Sequence, residues 1–277
     1  MKTLEIDGHA VPVLGQGTWN VGDSAAKRKA EIATLRRGID CGMTLIDSAE
    51  MYGNGLAESL VGEAIAGVRD RVYVVSKVLP SNASLEGTER ACEASLKRLG
   101  VETIDLYLLH WRGRYPLADT VKAFERLLEQ GMIRAWGVSN FDVDDMEELF
   151  DAPGGDACAA NQVLYNPEHR GIEYDLLPWC EKHEVTVMAY SPVGQGGGRL
   201  LNSAALGGVA DRHKLSPAQA ALAWCLRQPV LAIPKASSVK HVEENAAASE
   251  IDLDEQDLAE IDKAYPAPKR KQALDML

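Results

Sequence analysis

The chain alternates eight times between short apolar runs and longer amphipathic stretches, and this pattern restricts its fold more than any other feature. The runs are LGQGT (14–18), TLID (44–47), VYVVSK (72–77), IDLYLLH (104–110), IRAWGVS (133–139), CAANQ (158–162), VTVMAY (185–190) and VLAIPK (230–235). Several are apolar on both alternations, as parallel strands covered on both faces must be. The stretches between them, such as 25–40, 89–100 and 120–131, carry helical spacing. Gly100 and Gly131 stand where helix-ending glycines belong, and Ser216-Pro217 reads as a cap followed by proline at the first helical position. Eight strands in strict β-then-α order predict an α/β fold of the (β/α)8 barrel type, which takes about 250 residues. Leu4–Ile6 and Val11–Val13 flank an Asp7-Gly8 turn and predict an N-terminal β-hairpin, and further helices are expected at the C-terminal end. No linker interrupts the pattern, so residues 1–277 are expected to form one domain. A doubly wound dinucleotide fold would want G-x-G-x-x-G after its first strand. Gly15 and Gly17 begin that pattern, but Asn20 stands at the third position, and Arg199 breaks it in the loop that starts at Gly194.

Charge and cysteine content exclude several function classes. There are 41 acidic and 29 basic side chains, a net charge of −12, which argues against nucleic-acid or anionic-membrane partners held by bulk electrostatics. Five cysteines, at 41, 92, 158, 180 and 225, form neither a disulfide framework nor a metal motif. The six histidines include no pair at metal-ligand spacing, so no metal site is expected. The charged N-terminus lacks a signal-peptide core and no segment is apolar for long enough to span a bilayer, so a cytoplasmic protein is expected. Nothing marks an interface, which leaves a monomer as the default.

Reactive side chains fall at the ends of the strand candidates. Asp47, Lys77, His110, Ser139, Gln162, Tyr190 and Lys235 close the second to eighth runs, and most intervals are about one βα unit. Strand C-terminal ends converge on one mouth of a barrel, where active sites are built. An isolated Asp there is usually a helix cap, an isolated Lys is usually solvated, and a lone His is more often structural. Three on consecutive strands, with Tyr52 five residues after Asp47, make coincidence a poor account. A phenol titrates near 10, too high for efficient proton exchange at neutral pH. A nearby ammonium is expected to lower that value, a carboxylate to hold the ammonium, and a neutral imidazole to donate to a carbonyl oxygen. Such a set suits proton delivery to an oxygen that gains charge as its carbon receives hydride. Lys77 could instead form a Schiff base, as in an aldolase-like barrel, although Asp47 would keep its amine protonated.

Several segments together resemble the signatures of the aldo-keto reductase family. They are Ile46-Asp47-Ser48-Ala49-Glu50-Met51-Tyr52-Gly53, Ser76-Lys77, Asp105-Leu106-Tyr107-Leu108-Leu109-His110-Trp111, Gly137-Val138-Ser139-Asn140-Phe141, Asn161-Gln162-Val163, Ala189-Tyr190-Ser191-Pro192 and Ile233-Pro234-Lys235. The motifs run in the family's order over nearly the whole chain. The resemblance implies Tyr52 as proton donor, tuned by Lys77 and Asp47, with His110 orienting the carbonyl. It implies that Ser139, Asn140 and Gln162 hold the nicotinamide carboxamide and that Tyr190 stacks on the ring. Ser191 and the loop from Gly194 would cover the pyrophosphate, Lys235 would meet the adenosine 2′-phosphate, and Glu244 and Asn245 the adenine. Trp19 and Trp111 would line the substrate pocket; read by themselves they are equally ordinary core aromatics.

Departures from the family pattern bear on the cofactor and the substrate. NADP-preferring members commonly carry a serine directly after the lysine and an arginine six residues after it; here the residues are Ala236 and His241. An imidazole is mostly neutral at pH 7, whereas a guanidinium is always charged. NADPH is therefore expected as the preferred cofactor with NADH possible, Ser237, Ser238 and Lys240 compensating in part. The short tail after the final helix implies a more open mouth than in members with a long C-terminal loop. Segments 177–197 and 264–276 look most like a bacterial branch associated with methylglyoxal and similar small aldehydes. Arg112 and Arg114 leave an acidic keto-sugar of the diketogluconate type as an alternative substrate. A non-catalytic regulatory barrel is a third possibility, opposed by the intact Asp47, Tyr52, Lys77 and His110 set.

Overall fold

The structure, a computed structural model, describes residues 1–195 and 198–277. Strands β1 (Thr3–Ile6) and β2 (His9–Pro12) form an antiparallel hairpin. Eight parallel strands follow in chain order around a second sheet: β3 (Gln16–Gly17), β4 (Leu45–Asp47), β5 (Tyr73–Val78), β6 (Ile104–Leu109), β7 (Ile133–Ser139), β8 (Ala160–Leu164), β9 (Thr186–Tyr190) and β10 (Val230–Ala232). The first and last meet through a parallel bridge between Leu14 and Ala232. Gly15 N donates to Ala232 O at 2.9 Å, Ala232 N to Val13 O at 2.8 Å, and Gly17 N to Pro234 O at 3.1 Å. Glycine is needed at this seam, because a Cβ on Gly17 would lie 2.8 Å from Ile233 O.

Helices α1 (Arg28–Asp40), α2 (Leu56–Ile65), α3 (Leu85–Leu99), α4 (Leu117–Glu129), α5 (Val143–Asp151), α6 (Leu176–Lys182), α7 (Ala204–His213), α8 (Pro217–Cys225), α9 (Val239–Ala247) and α10 (Glu255–Ala264) occupy the connections and the C-terminal side. Their ends follow capping chemistry. Ser216 and Gln219 close a capping box ahead of Pro217, and Asp254 and Asp257 close another at α10. Helix α3 ends on Gly100 in the left-handed conformation, as its sequence predicts, but begins four residues before the expected start. The Ser84 hydroxyl caps it by accepting from Gly87 N at 3.1 Å. Strand ends also differ from the sequence reading. Gln162 sits two residues inside β8, His110 one residue past β6, and Lys235 three residues past β10.

Two apolar layers hold the site in place. One fills the space between the strands and the helices, with Trp136, Phe124 and Trp224 among its wholly buried members. The other lies inside the sheet, where Leu45, Val75, Leu106, Leu108, Met188 and Leu231 meet Ile6 and Val11 of the hairpin. The hairpin thus packs on the inner layer, and Thr186 Oγ1 at the N-terminal end of β9 donates to Glu5 O at 2.6 Å. That end is stoppered, and the polar strand ends gather at the opposite one.

Candidate active site

Asp47 ends β4 and Lys77 lies on β5, so the pleat and parallel register bring the two side chains together inside the mouth. Lys77 Nζ donates to Asp47 Oδ1 and Oδ2, each at 2.8 Å, to Ser48 O at 2.8 Å and to Tyr52 Oη at 3.1 Å. Tyr52 reaches this point because β4 leads into a tight turn, Tyr52–Gly55. Gly53, Asn54 and Gly55 are all left-handed there, and a Cβ on Gly53 would come within 2.7 Å of Asp23 Oδ1. His110 places its ring centroid 5.8 Å from that of Tyr52, while Trp19 meets the Tyr52 ring edge-on at 4.9 Å. Trp111 contacts the His110 ring at 4.9 Å, so both expected pocket tryptophans stand beside catalytic candidates.

The electrostatics depart from the sequence expectation at one point. Burial pushes the Tyr52 phenol up; Lys77 pulls it down, but the Asp47 charge opposes that pull, and the net direction is upward. The expected lowering by a neighbouring ammonium is outweighed chiefly by burial, and the carboxylate that holds the ammonium adds to it by repelling a phenolate. Burial opposes the charge on Lys77, yet Asp47 and Tyr52 together raise it above the ordinary lysine value. His110 is driven down to about 2 by burial, with the Lys77 charge adding, which leaves a neutral imidazole. Its Nδ1 is buried and without a hydrogen-bond partner among the described residues.

A polar ledge faces this set from the strands that follow. The Ser139 hydroxyl donates to Gln162 O at 2.8 Å, and Asn140 Nδ2 donates to His110 O at 3.1 Å and to Ser139 Oγ at 3.2 Å. Tyr190 Oη donates to Asn140 Oδ1 at 2.9 Å. Burial pushes the Tyr190 phenol up to about 12. Asn140 and Ser191 are both left-handed, at φ 59° and 48°, and turn the chain outward at the ends of β7 and β9. Gly194, also left-handed at φ 73°, donates its N–H to Ser191 O at 2.9 Å. Gly196 and Gly197 of the same loop lie outside the described residues.

Further out, Lys235 is exposed with Nζ 3.1 Å from Ser237 Oγ. Ser238 caps α9 by accepting from His241 N at 3.3 Å, so His241 sits exposed in the first turn of that helix. Lys240 lies 3.6 Å from Glu244, which offsets part of the charge expected to compensate for a missing arginine. Asn245 is buried one turn further along α9.

Sequence reasoning missed several residues that shape the site. Thr18 Oγ1 donates to Asp47 O at 2.8 Å and anchors the end of β4. Glu50 Oε1 accepts from Leu79 N at 2.6 Å and Asn82 Nδ2 at 3.0 Å, tying the Tyr52 segment to the chain beyond β5. Beneath Lys77, buried Glu58 accepts from Ser76 Oγ at 2.6 Å and Arg98 Nε at 2.5 Å. Each partner lies far along the chain, so spacing carries no signal for the pairing. The tail is fastened to the barrel at two points. Lys271 bonds Asp144 at 2.8 Å, and Asp275 pairs with His169 at 2.8 Å. Lys271 and Asp275 therefore fasten the tail to the connections that leave β7 and β8.

An eight-stranded parallel barrel with a buried Asp–Lys–Tyr chain and a neutral histidine at its C-terminal mouth is the arrangement that the sequence signatures imply. The aldo/keto reductase family model matches residues 13–266, and the chain belongs to that family. The chain is 53% identical over 281 residues to methylglyoxal reductase YeaE of Escherichia coli K12, covering 100% of this chain and 99% of that one. It is 36% identical over 258 residues to glyoxal reductase of Bacillus subtilis 168, covering 92% and 90%. Among solved structures, an aldo/keto reductase from Klebsiella pneumoniae in complex with NADP and acetate superimposes with a TM-score of 0.97 at 51% identity, over 100% and 99% of the two chains.

Proposed function

We propose that the protein is an NADPH-dependent carbonyl reductase acting on small aldehydes and ketones, 2-oxoaldehydes such as methylglyoxal foremost. The observation that carries this reading is the buried hydrogen-bond chain from Asp47 through Lys77 to Tyr52, ending beside a neutral His110. Relatives named for methylglyoxal and glyoxal reduction support the substrate class. The cofactor assignment draws on the Klebsiella complex with NADP and on the donor set present here. Hydroxyl and amide groups of Ser139, Asn140 and Gln162 suit a carboxamide, which both donates and accepts. The exposed Lys235 and the first turn of α9 suit a phosphate, and Tyr190 offers a ring face. Those residues would hold NADPH, with Ser191 and Gly194 along the pyrophosphate and Glu244 and Asn245 at the adenine.

When bound, NADPH supplies a hydride for the carbonyl carbon. Tyr52 holds the proton destined for the carbonyl oxygen, and Lys77 stabilises the phenolate left behind while Asp47 keeps Lys77 in place. His110, being neutral, can donate to the carbonyl oxygen without competing as an acid. Trp19, Trp111 and the tail bound a small pocket. In this reading residues 1–277 form one domain, and the protein acts as a cytoplasmic monomer.

The alternatives fare less well on geometry. Lys77 is surrounded by four acceptors and held as an ammonium, so it offers no free amine for a Schiff base. Arg112 is engaged by Glu148 at 2.8 Å and by Tyr115 O at 3.0 Å, which weakens the case for an acidic sugar, while exposed Arg114 leaves that reading to the keto-sugar assay. The decisive assay is NADPH consumption across 2-oxoaldehydes, simple aldehydes and keto-sugars, with NADH in parallel. Tyr52→Phe should lower kcat by about 10²–10⁴-fold with little change in NADPH affinity. Full activity in that variant would remove Tyr52 from the mechanism. His241→Arg should raise the NADPH preference over NADH, measured as a ratio of Kd values, because a guanidinium is always charged and binds phosphate bidentately.

A further inference from the structure

Gln162 touches both halves of the site. Its strand, β8, stands diametrically opposite β4 in the eight-strand order. Its side chain crosses the barrel and donates from Nε2 to Asp47 Oδ1 at 2.7 Å. Both residues are only 2% exposed. A carboxylate can only accept, so the amide must present its nitrogen to Asp47 and leave Oε1 for other partners. The Gln162 carbonyl, meanwhile, accepts from Ser139 Oγ at 2.8 Å and from Asn140 N at 2.9 Å. The ledge expected to hold a carboxamide is thus built on the backbone of the residue whose side chain grips Asp47.

We propose that Gln162 is a positioning residue of the proton-donor set, its amide N–H holding the Asp47 carboxylate against Lys77. This inference rests on the carbonyl-reductase reading but concerns a contact within the chain itself. The charged and titratable groups around Asp47 are Lys77 from β5 and Tyr52 from the turn after β4, with His110 beyond them after β6. Lys77 alone binds both Asp47 oxygens, and Gln162 supplies the third hydrogen bond, to Oδ1. With that donor in place, the carboxylate has its charge dispersed and its rotation blocked. Because Asp47 acts on Tyr52 as well as on Lys77, a change at Gln162 reaches the proton donor without touching it.

The test replaces the amide with a carboxyl in Gln162→Glu, and with an apolar chain of similar length in Gln162→Met. Two carboxyls in one buried site cannot both ionise, so the introduced carboxyl and Asp47 should together retain one proton into the neutral range. The folded-state pKa of that pair is then raised, so stability is present at low pH and lost as pH rises. In cofactor-free protein, the urea midpoint of Gln162→Glu should fall relative to wild type between pH 5 and pH 8, and that of Gln162→Met should show no such slope. In the loaded enzyme, the ratio of kcat at pH 6 to kcat at pH 8 should rise ~10-fold in Gln162→Glu. Gln162→Met should lower kcat as well as NADPH affinity measured by fluorescence quenching. A wild-type-like urea profile in Gln162→Glu overturns the proposal, as does a change confined to NADPH affinity in both variants. Should the wild type reduce no carbonyl, the functional reading fails, and the urea profiles still decide the Gln162–Asp47 contact.

Discussion

Lys77 is wholly buried and remains charged, which is tolerable only because Asp47, Ser48 O and Tyr52 all accept from it. The histidine beside it follows the opposite logic, since burial holds it neutral and the Lys77 charge adds to that. This difference makes folding depend on pH in a definite direction. An unfolded histidine binds a proton below about pH 6.5, whereas His110 in the fold does so only near pH 2. Stability from this residue is therefore full above pH 6.5 and lost as pH falls, by about 2 kcal/mol at pH 5. Urea unfolding of wild type and His110→Gln at pH 7.5 and pH 5 checks the sign: the variant should lose less stability on acidification. Asp47, Tyr52, Lys77 and His110 stand out in the sequence only as a set, because three polar residues ending consecutive apolar runs, with Tyr52 five residues after the first, are hard to ascribe to chance. The direction of the Tyr52 shift is not legible there, since it depends on a balance of burial against two opposite charges.

Among the elements, the C-terminal tail is the one whose role the sequence least reveals. PAPKRKQALDML has no helical or strand period. Its ion-pair partners lie 127 and 106 positions back along the chain. Lys271 and Asp275 fasten it to the connections after β7 and β8. The two ion pairs are exposed and screened by solvent, so they contribute little to stability. The larger effect of the tail is steric. Deleting residues 271–277 should leave the urea midpoint nearly unchanged while raising kcat/KM for bulky aromatic aldehydes relative to methylglyoxal. An unchanged ratio would show that the tail does not bound the pocket. The start of α3 is less legible for a different reason: Gly87 stands where a capping box needs an acidic or amide residue, so Ser84 alone marks the cap.

For the molecule as a whole, closure is the step on which the site depends, because Asp47 and Gln162 meet only when opposite strands face across one axis. The seam between Leu14 and Ala232 sets that geometry, and Gly17 lets the chain pass close to Ile233 O. Gly17→Ala should therefore destabilise by about 1–3 kcal/mol, since the new methyl would meet backbone rather than a flexible side chain. A wild-type urea midpoint would mean that the seam can shift at no cost. The net charge of −12 has a similar whole-molecule character: it opposes phosphate-rich polymers, yet Lys77 and Lys235 still stand at the mouth.

Element order, parallel topology and the identity of the polar strand ends are all written in the chain, because periodicity and capping are local and each reports on a few neighbouring residues. Folding alone settles which of those ends touch, that Gln162 grips Asp47, that Arg112 is occupied by Glu148, and that the tail is pinned to Asp144 and His169. These are contacts between residues tens to more than a hundred positions apart, and they depend on barrel closure, burial and distance, none of which local spacing encodes.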